Sequence, residues 1–282
     1  MAGREQSIHF AKAVSRLVGW IYTLCWSASF YPQPLLNWQR KSTRGLAIDY
    51  LTINVLGFVC YMISTSALFF SALIRHQYTE RHAAFSEPTV RSNDIAFAAH
   101  AVVMSTLHYT QFWPRIWGFR VSRSQRLSRP IAGLFWGCIS AVILIILLVW
   151  TRGRDGGRDA QDWAWIDVVY SCGHVKLLVT LVKYMPQVWV NYKRQSTDGW
   201  CIEQILLDFS GGVLSIVQLL IDASFQPDWS GVTGNPVKLG LGNITIFFDL
   251  IFITQHYLLY RHTGQGKVDE SIGGTEQPLL AN

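Results

Sequence analysis

One block of this chain occurs twice, in register, 154 residues apart. Phe30-Tyr31-Pro32-Gln33 leads into Asn37, Arg40, Ser42, Thr43 and Gly45; Tyr184-Met185-Pro186-Gln187 leads into Asn191, Arg194, Ser196, Thr197 and Gly199. The register continues without a gap into the next apolar stretch, where Asp49 is matched by Glu203, Asn54 by Asp208 and Gly57 by Gly211. Such a match over this length means that the chain holds two copies of one structural unit, and any fold it adopts must accommodate both.

The medium follows from how charge is distributed. Half of the residues are apolar, 15% are charged and tryptophan occurs 12 times. The charges fall between long apolar runs. Ala132–Trp150 carries no ionisable side chain except Cys138, and about 20 such residues cross the hydrocarbon core as a helix. Membrane helices are expected near 14–36, 46–72, 94–113, 131–150, 163–189, 201–221 and 237–260. The class is therefore an all-α polytopic membrane protein. A signal peptide is not the reading of the first segment, because it lacks a small-x-small cleavage site and its end carries the first Pro-Gln pair.

Seven helices and two copies divide as three, one and three, with helices 1–3 as one bundle, helices 5–7 as the other and helix 4 as the spacer. An odd spacer gives both copies the same orientation, so they are parallel repeats about an axis along the membrane normal. The expected division is a short segment over 1–13, a first repeat over 14–113, a basic loop and linker helix over 114–150, a second repeat over 151–262 and a flexible cytosolic tail over 263–282. Loops on the side of the two Pro-Gln segments, with the C-terminus, hold 12 Lys and Arg against 10 opposite. Among them Arg115, Arg120, Arg123, Arg126 and Arg129 follow one another with no acid between. The positive-inside rule places that side and the C-terminus in the cytosol. Basic loops beside anionic lipid also account for the net charge of +6, and no nucleic-acid partner is implied.

Other chemistries find no footing. Cys25, Cys60, Cys138, Cys172 and Cys201 all fall within expected helices, with no CxxC spacing and no Cys/His cluster; they read as small buried apolar residues, not as disulfides or metal ligands. Asn243-Ile244-Thr245 lies inside the seventh helix, beyond the reach of glycosylation. No Gly-rich phosphate loop and no nucleophile–base motif occurs, so neither an enzyme, a cofactor nor a metal is expected.

The chemistry sits in ionisable residues placed within spans: Asp49, Asp94, Asp167, Lys176, Lys183, Glu203, Asp208 and Asp249. Each costs roughly 2.5–3.5 kcal/mol at the bilayer centre on insertion scales, so each needs a partner or a watery cavity. Asp49, Asp94, Asp167 and Glu203 lie near helix ends and either reach the interface or take part in coupling; Asp208 and Asp249 lie deeper. The register sets Asp208 against Asn54, a nearly isosteric amide that cannot titrate. A pseudosymmetric site thus has one fixed polar member and one that can take up a proton. Gly211-Gly212, within a turn of Asp208, allow close helix approach or bending.

Lys176 and Lys183 stand seven residues apart, on one helix face at roughly 10 Å axial distance. Either they meet the two ends of an elongated dicarboxylate, or one of them neutralises Asp208 or Asp249. Asn191 and Gln204 offer neutral hydrogen bonds, and Asn37 is the first-repeat counterpart of Asn191. Pro32 and Pro186 each remove a backbone donor near a helix end; with Gln33 and Gln187 they form a matched pair of hinges, or simply end their helices. Pro34 adds a second break in the first repeat only.

These residues carry a resemblance. The paired motifs, Lys41-Ser42, Ser92-Asn93-Asp94, Val175-Lys176-Leu177 through Lys183-Tyr184, Ser196-Thr197-Asp198-Gly199-Trp200, Leu206-Leu207-Asp208-Phe209-Ser210-Gly211-Gly212, Phe248-Asp249 and Gln255-His256 resemble the cystinosin branch of the PQ-loop transporters over about residues 18–262. The resemblance implies proton-coupled export of L-cystine from an acidic lysosome or vacuole into the cytosol. It implies that Asp208 accepts the proton, that Lys176, Lys183, Asn191, Asn54 and Gln204 belong to the substrate cavity, and that Asp49, Asp94 and Asp249 serve coupling or structure.

Departures are visible. The long glycosylated luminal extension and tyrosine-based tail signal of animal members are not in this sequence, and the resemblance points to a non-animal member. The tail instead reads Glu276-Gln277-Pro278-Leu279-Leu280, an imperfect acidic dileucine motif that sorting adaptors could read. Gln204 stands where an asparagine is typical. Rival readings are a PQ-loop exporter of cationic amino acids, which two cavity lysines would repel, a SWEET-type sugar facilitator, which needs no intramembrane acid–base set, and a seven-helix receptor, which duplication argues against.

Overall fold

The computed structural model describes residues 2–81, 90, 92–223 and 236–261. The tail 263–282, with Glu276 through Leu280, lies outside the described residues, as does the side chain of Asn93. The described chain is helical: α1 Ala2–Ala28, α2 Pro32–Arg40, α3 Ile48–Phe70, α4 Ala72–Arg81, α5 Ser92–Thr110, α6 Pro114–Trp117, α7 Arg129–Arg152, α8 Trp165–Val182, α9 Met185–Arg194, α10 Ile202–Ala223 and α11 Pro236–Thr254, which runs on into a π-helical turn at Gln255–Leu259. No β-strand occurs among the described residues; one isolated bridge joins Ser42 to Arg120.

Four described helical stretches are long and apolar enough to cross a membrane: Ile48–Phe70, Arg129–Arg152, Trp165–Arg194 and Ile202–Ile221. A shorter apolar helix covers Asn243–Leu259. α7 makes the physical case most plainly. It opens with Arg129 and Pro130, closes at Arg152 and carries no charge between. Proline costs nothing at the first turn, where the backbone N–H has no partner to lose. Yet only Cys138 and Val149 of its residues are buried, and Trp136 and Trp150 stand 63% and 74% exposed. A helix of 24 residues spans about 36 Å, and one that turns this apolar face outward belongs in lipid.

The described chain forms two compact units, one drawn from Met1–Gln39, Arg44–Leu46 and Gln187–Asn282, the other from Arg40–Thr43 and Ala47–Pro186. In the first, α1 packs along α10 and α10 against α11; in the second, α3 packs along α8 and α5, and α7 along α8. Helices 2 and 3 of each expected bundle pack together, α3 with α5 and α10 with α11, while the first helix of each pairs with the other repeat. In each unit the second helix of one repeat takes the first helix of the other. Small residues explain why. A Cβ added at Gly57 on α3 would lie 2.7 Å from Val179 Cγ1 on α8. One at Gly211 on α10, the repeat equivalent of Gly57, would lie 2.5 Å from Trp26 Cδ1 on α1. Where lipid competes equally for apolar surface, close backbone approach at small residues is what joins helices.

Around the Gly57 contact the second unit has its core: Ile53 and Cys60 of α3, Cys138 of α7, and Cys172, Val175 and Val179 of α8. Cys60, Cys138, Cys172 and Cys201 are buried free thiols and Cys25 is half-buried. Cys201 lies just before α10 and not inside it.

The prolines sit at helix starts. α1 ends at Ala28, the Tyr31 N–H closes a turn on the Ala28 carbonyl at 3.1 Å, and Pro32 opens α2. α8 ends at Val182 and Pro186 is the second residue of α9. The breaks therefore lie at Ser29–Tyr31 and Lys183–Tyr184, each just before its Pro-Gln pair, and Pro34 is accommodated inside the first turn of α2.

Candidate functional site

The two Pro-Gln glutamines are wholly buried and are used in the same way. Gln33 Nε2 donates to the Gly199 carbonyl at 2.8 Å and to Asn37 Oδ1 at 3.1 Å, while its Oε1 accepts from the Cys201 N–H at 2.6 Å. Gln187 Nε2 donates to the Gly45 carbonyl at 2.8 Å and to Asn191 Oδ1 at 2.9 Å. Each repeat thus holds the glycine loop of the other, and all these residues lie in the first unit.

The receiving loops match as well. Lys41 and Gln195, 154 residues apart, have φ of 48° and 49°; Gly45 and Gly199 have φ of 101° and 93°. Glycine adopts that region without a steric penalty. At Gly45 space forbids any side chain too, since a Cβ would lie 2.1 Å from the Asp198 carbonyl oxygen.

A buried carboxamide both donates and accepts, which lets it saturate backbone groups that would otherwise stay unpaired away from water. Glutamate cannot donate when ionised, and asparagine is one methylene short. The network extends beyond the motif. Asn191 Nδ2 donates to Gln255 Oε1 at 3.0 Å, Gln255 Nε2 to the Val188 carbonyl at 3.2 Å, and Thr197 Oγ1 meets His256 Nδ1 at 2.8 Å. Asn191, expected at a substrate cavity, is wholly buried with both ends of its amide engaged. Its bond to Gln255 joins α9 to the π-helical turn at the end of α11.

Asp208 lies half-buried on α10, one turn beyond the buried Gln204 and one turn before Gly211-Gly212. Those glycines give α10 contact on two sides: Gly211 meets Trp26 of α1, and a Cβ at Gly212 would lie 3.0 Å from Ile246 Cγ1 of α11. Asp249 is wholly buried on α11, one turn before Phe252, whose ring lies 5.0 Å from that of Trp200.

The second unit holds the lysines. Lys176 Nζ lies 3.7 Å from the ring centroid of Phe58 and 5.9 Å from that of Tyr61; Lys183 Nζ lies 4.3 Å from the ring of Tyr184, which stacks on Tyr50. A cation over an aromatic face keeps its charge at a smaller desolvation cost than one against aliphatic carbon. Asn54, on α3, is buried with no hydrogen-bond partner for Oδ1 among the described residues. Asp49 accepts the Ser128 N–H at 2.8 Å, tying the start of α3 to the start of α7. Asp94 is half-buried in the first turn of α5, where a negative charge complements the helix dipole.

Asp167 does not stand alone at a helix end. It forms a two-pronged pair with Arg81 of α4 and accepts the Ala164 N–H at 2.9 Å. Arg81 further donates to the carbonyls of Ala160 at 2.7 Å and Asp162 at 2.9 Å. Donating to the Asp167 carboxylate raises the Arg81 guanidinium above its ordinary pKa. One turn away, buried Gln77 donates to the carbonyls of Gly157 and Arg158 and accepts the Ile166 N–H. Gln77 and Arg81 thereby fasten the loop between α7 and α8. Sequence reasoning missed both; their spacing of four on a polar helix was the available signal. Glu203 is exposed and accepts the Cys201 thiol at 2.9 Å.

Comparison with known proteins adds the family. A family model described as PQ loop repeat matches residues 14–74 and 168–228, and these two segments stand at the 154-residue spacing of the repeat. The chain is 40% identical over 250 residues to a cystinosin homolog of Dictyostelium discoideum, covering 88% of this chain and 82% of that protein. It is 38% identical over 249 residues to cystinosin of Drosophila melanogaster, with 88% of this chain but only 59% of the fly protein aligned. It is 29% identical over 261 residues to a cystine transporter of Saccharomyces cerevisiae, covering 90% of this chain and 96% of the yeast protein.

Proposed function

Because this multi-pass membrane chain belongs to the PQ-loop repeat family, in its cystinosin branch, we propose that it exports L-cystine together with protons from an acidic lysosomal or vacuolar lumen into the cytosol. The observation that carries the reading is the pair Asn54 and Asp208, equivalent positions of α3 and α10. One is an amide that cannot titrate and the other a carboxylate that can, on two helices that each carry a glycine in close contact with a neighbouring helix. A yeast relative aligned over almost its whole length is named a cystine transporter, and this supplies the substrate.

In this reading the chain crosses the membrane seven times as three, one and three helices, with repeats over 14–113 and 151–262, a linker over 114–150 and a cytosolic C-terminus. Lys176 and Lys183 each bind one carboxylate of the elongated zwitterion. Gln204, Asn54 and Asn191 supply neutral hydrogen bonds, Asn191 from within the glutamine clamp. Asp208 takes the proton on the luminal side, with Asp249, Asp94 and Asp49 completing the coupling set. Neutral Asp208 favours closure on that side and opening to the cytosol, where the proton leaves. A proton moving down its gradient contributes about 1.4 kcal/mol per pH unit, and reduction of cystine in the cytosol keeps its own gradient downhill. Pro32-Gln33 and Pro186-Gln187, each in the first turn after a helix break, act as hinges.

Selectivity tests the substrate. Purified protein in liposomes should take up labelled cystine, with no competition from lysine, arginine or glucose. Flux of lysine or arginine without cystine would replace cystine with a cationic amino acid, and no flux of any of them would end the transporter reading.

A further inference from the structure

The segment 113–129, between α5 and α7, is braced. Ser42 Oγ and the Thr43 N–H both donate to the Arg120 carbonyl, at 3.1 and 3.2 Å, and the Arg120 N–H returns to the Lys41 carbonyl at 2.8 Å. Gln125 donates to the Thr43 carbonyl at 2.7 Å and accepts the Ser122 N–H at 2.8 Å. Phe119 is buried beneath, with Lys41 Nζ 5.7 Å from its ring.

On this scaffold Arg115, Arg120, Arg123, Arg126 and Arg129 are all exposed, and so are Arg40 and Lys41 at the end of α2. None of the five arginines makes an ion pair among the described residues. The segment contains no acid, and nearby Asp49 is turned to the Ser128 backbone. Beside the cations, Trp113, Pro114, Arg115 and Ile116 line an open groove, with Trp113 and Ile116 among the exposed large apolar residues. A phosphate alone has no use for the groove, and an apolar partner alone has none for the arginines. A lipid satisfies both.

We propose that the 113–129 segment binds an anionic phospholipid with a multiply charged headgroup, its phosphates on the arginines of 120–129 and its glycerol and upper acyl chain over Trp113 and Ile116. Several uncompensated cations match a headgroup of more than one charge, and the ordered loop spares the complex the cost of ordering it. The proposal requires only that the chain sits in a membrane, so the outcome of any cystine assay leaves it standing.

The test is binding of the full chain in nanodiscs of neutral phosphatidylcholine, measured with a diacyl phosphatidylinositol bisphosphate and with its soluble inositol phosphate headgroup. The diacyl lipid should bind and the soluble headgroup should bind far more weakly. Arg123→Gln with Arg126→Gln should weaken lipid binding about 25-fold, at about fivefold per cation near the surface. Arg123→Lys with Arg126→Lys should retain most of it, and Trp113→Ser should weaken the diacyl lipid without changing headgroup binding. Equal affinity for the soluble headgroup, or wild-type lipid affinity in the double glutamine variant, would overturn the proposal.

Discussion

Gln187 and Gly45 are joined by a hydrogen bond of 2.8 Å from the buried carboxamide to the glycine carbonyl, and the same bond, at the same length, joins Gln33 to Gly199. Both members of the second pair stand 154 residues from a member of the first. The motif that names the family is thus a reciprocal clamp, in which each copy secures the loop of the other.

Breaking the clamp leaves buried partners unpaired. Gln187→Ala strands the Gly45 carbonyl and Asn191 Oδ1, at about 1–3 kcal/mol for each. The unfolding midpoint in detergent should fall by several degrees. Gln187→Glu should fall as far, although it fills the space, because an ionised carboxylate cannot donate. Wild-type stability in the glutamate variant would show that the donor is dispensable.

At Gly57 the contact is steric. Gly57→Ala puts a Cβ 2.7 Å from Val179 Cγ1, against a branched side chain with little room to move, and should destabilise by about 1–3 kcal/mol. Val179→Ala in the same chain should restore most of that loss. A double-mutant cycle with no coupling between the two sites would contradict the packing of α3 on α8.

For the α7–α8 loop, Arg81→Met removes the pair with Asp167 and the bonds to Ala160 and Asp162. Residues 158–163 should become sensitive to protease and exchange amide hydrogens faster, while the core of α3 and α8 stays protected. Asp167→Asn keeps one acceptor and should show a smaller effect. Unchanged exchange in Arg81→Met would mean that Gln77 alone holds the loop.

Helix positions were legible because charge marks their ends. The uncharged run at 131–150 became Arg129–Arg152, and 46–72 and 201–221 became Ile48–Phe70 and Ile202–Ala223. The duplication could be read from identities at one spacing. Helix pairing could not, because the contacts of Gly57 with Val179 and Gly211 with Trp26 cross the repeats, and sequence order favours neighbours. The same limit hid what the polar residues touch. Nothing in the sequence shows that Asn191 bonds Gln187 and Gln255, or that Asp167 pairs with a residue 86 positions away. Asp49 pairs with a backbone N–H, which no residue identity reveals.

The central claim is that Asp208 couples cystine to protons. Uptake of labelled cystine into liposomes, with and without an imposed proton gradient, should be compared for wild type and Asp208→Asn. Wild-type uptake should rise when the gradient drives protons in the direction of cystine movement. In the variant that stimulation should vanish, while exchange of cystine for cystine persists. Full gradient-driven uptake by Asp208→Asn would contradict the account.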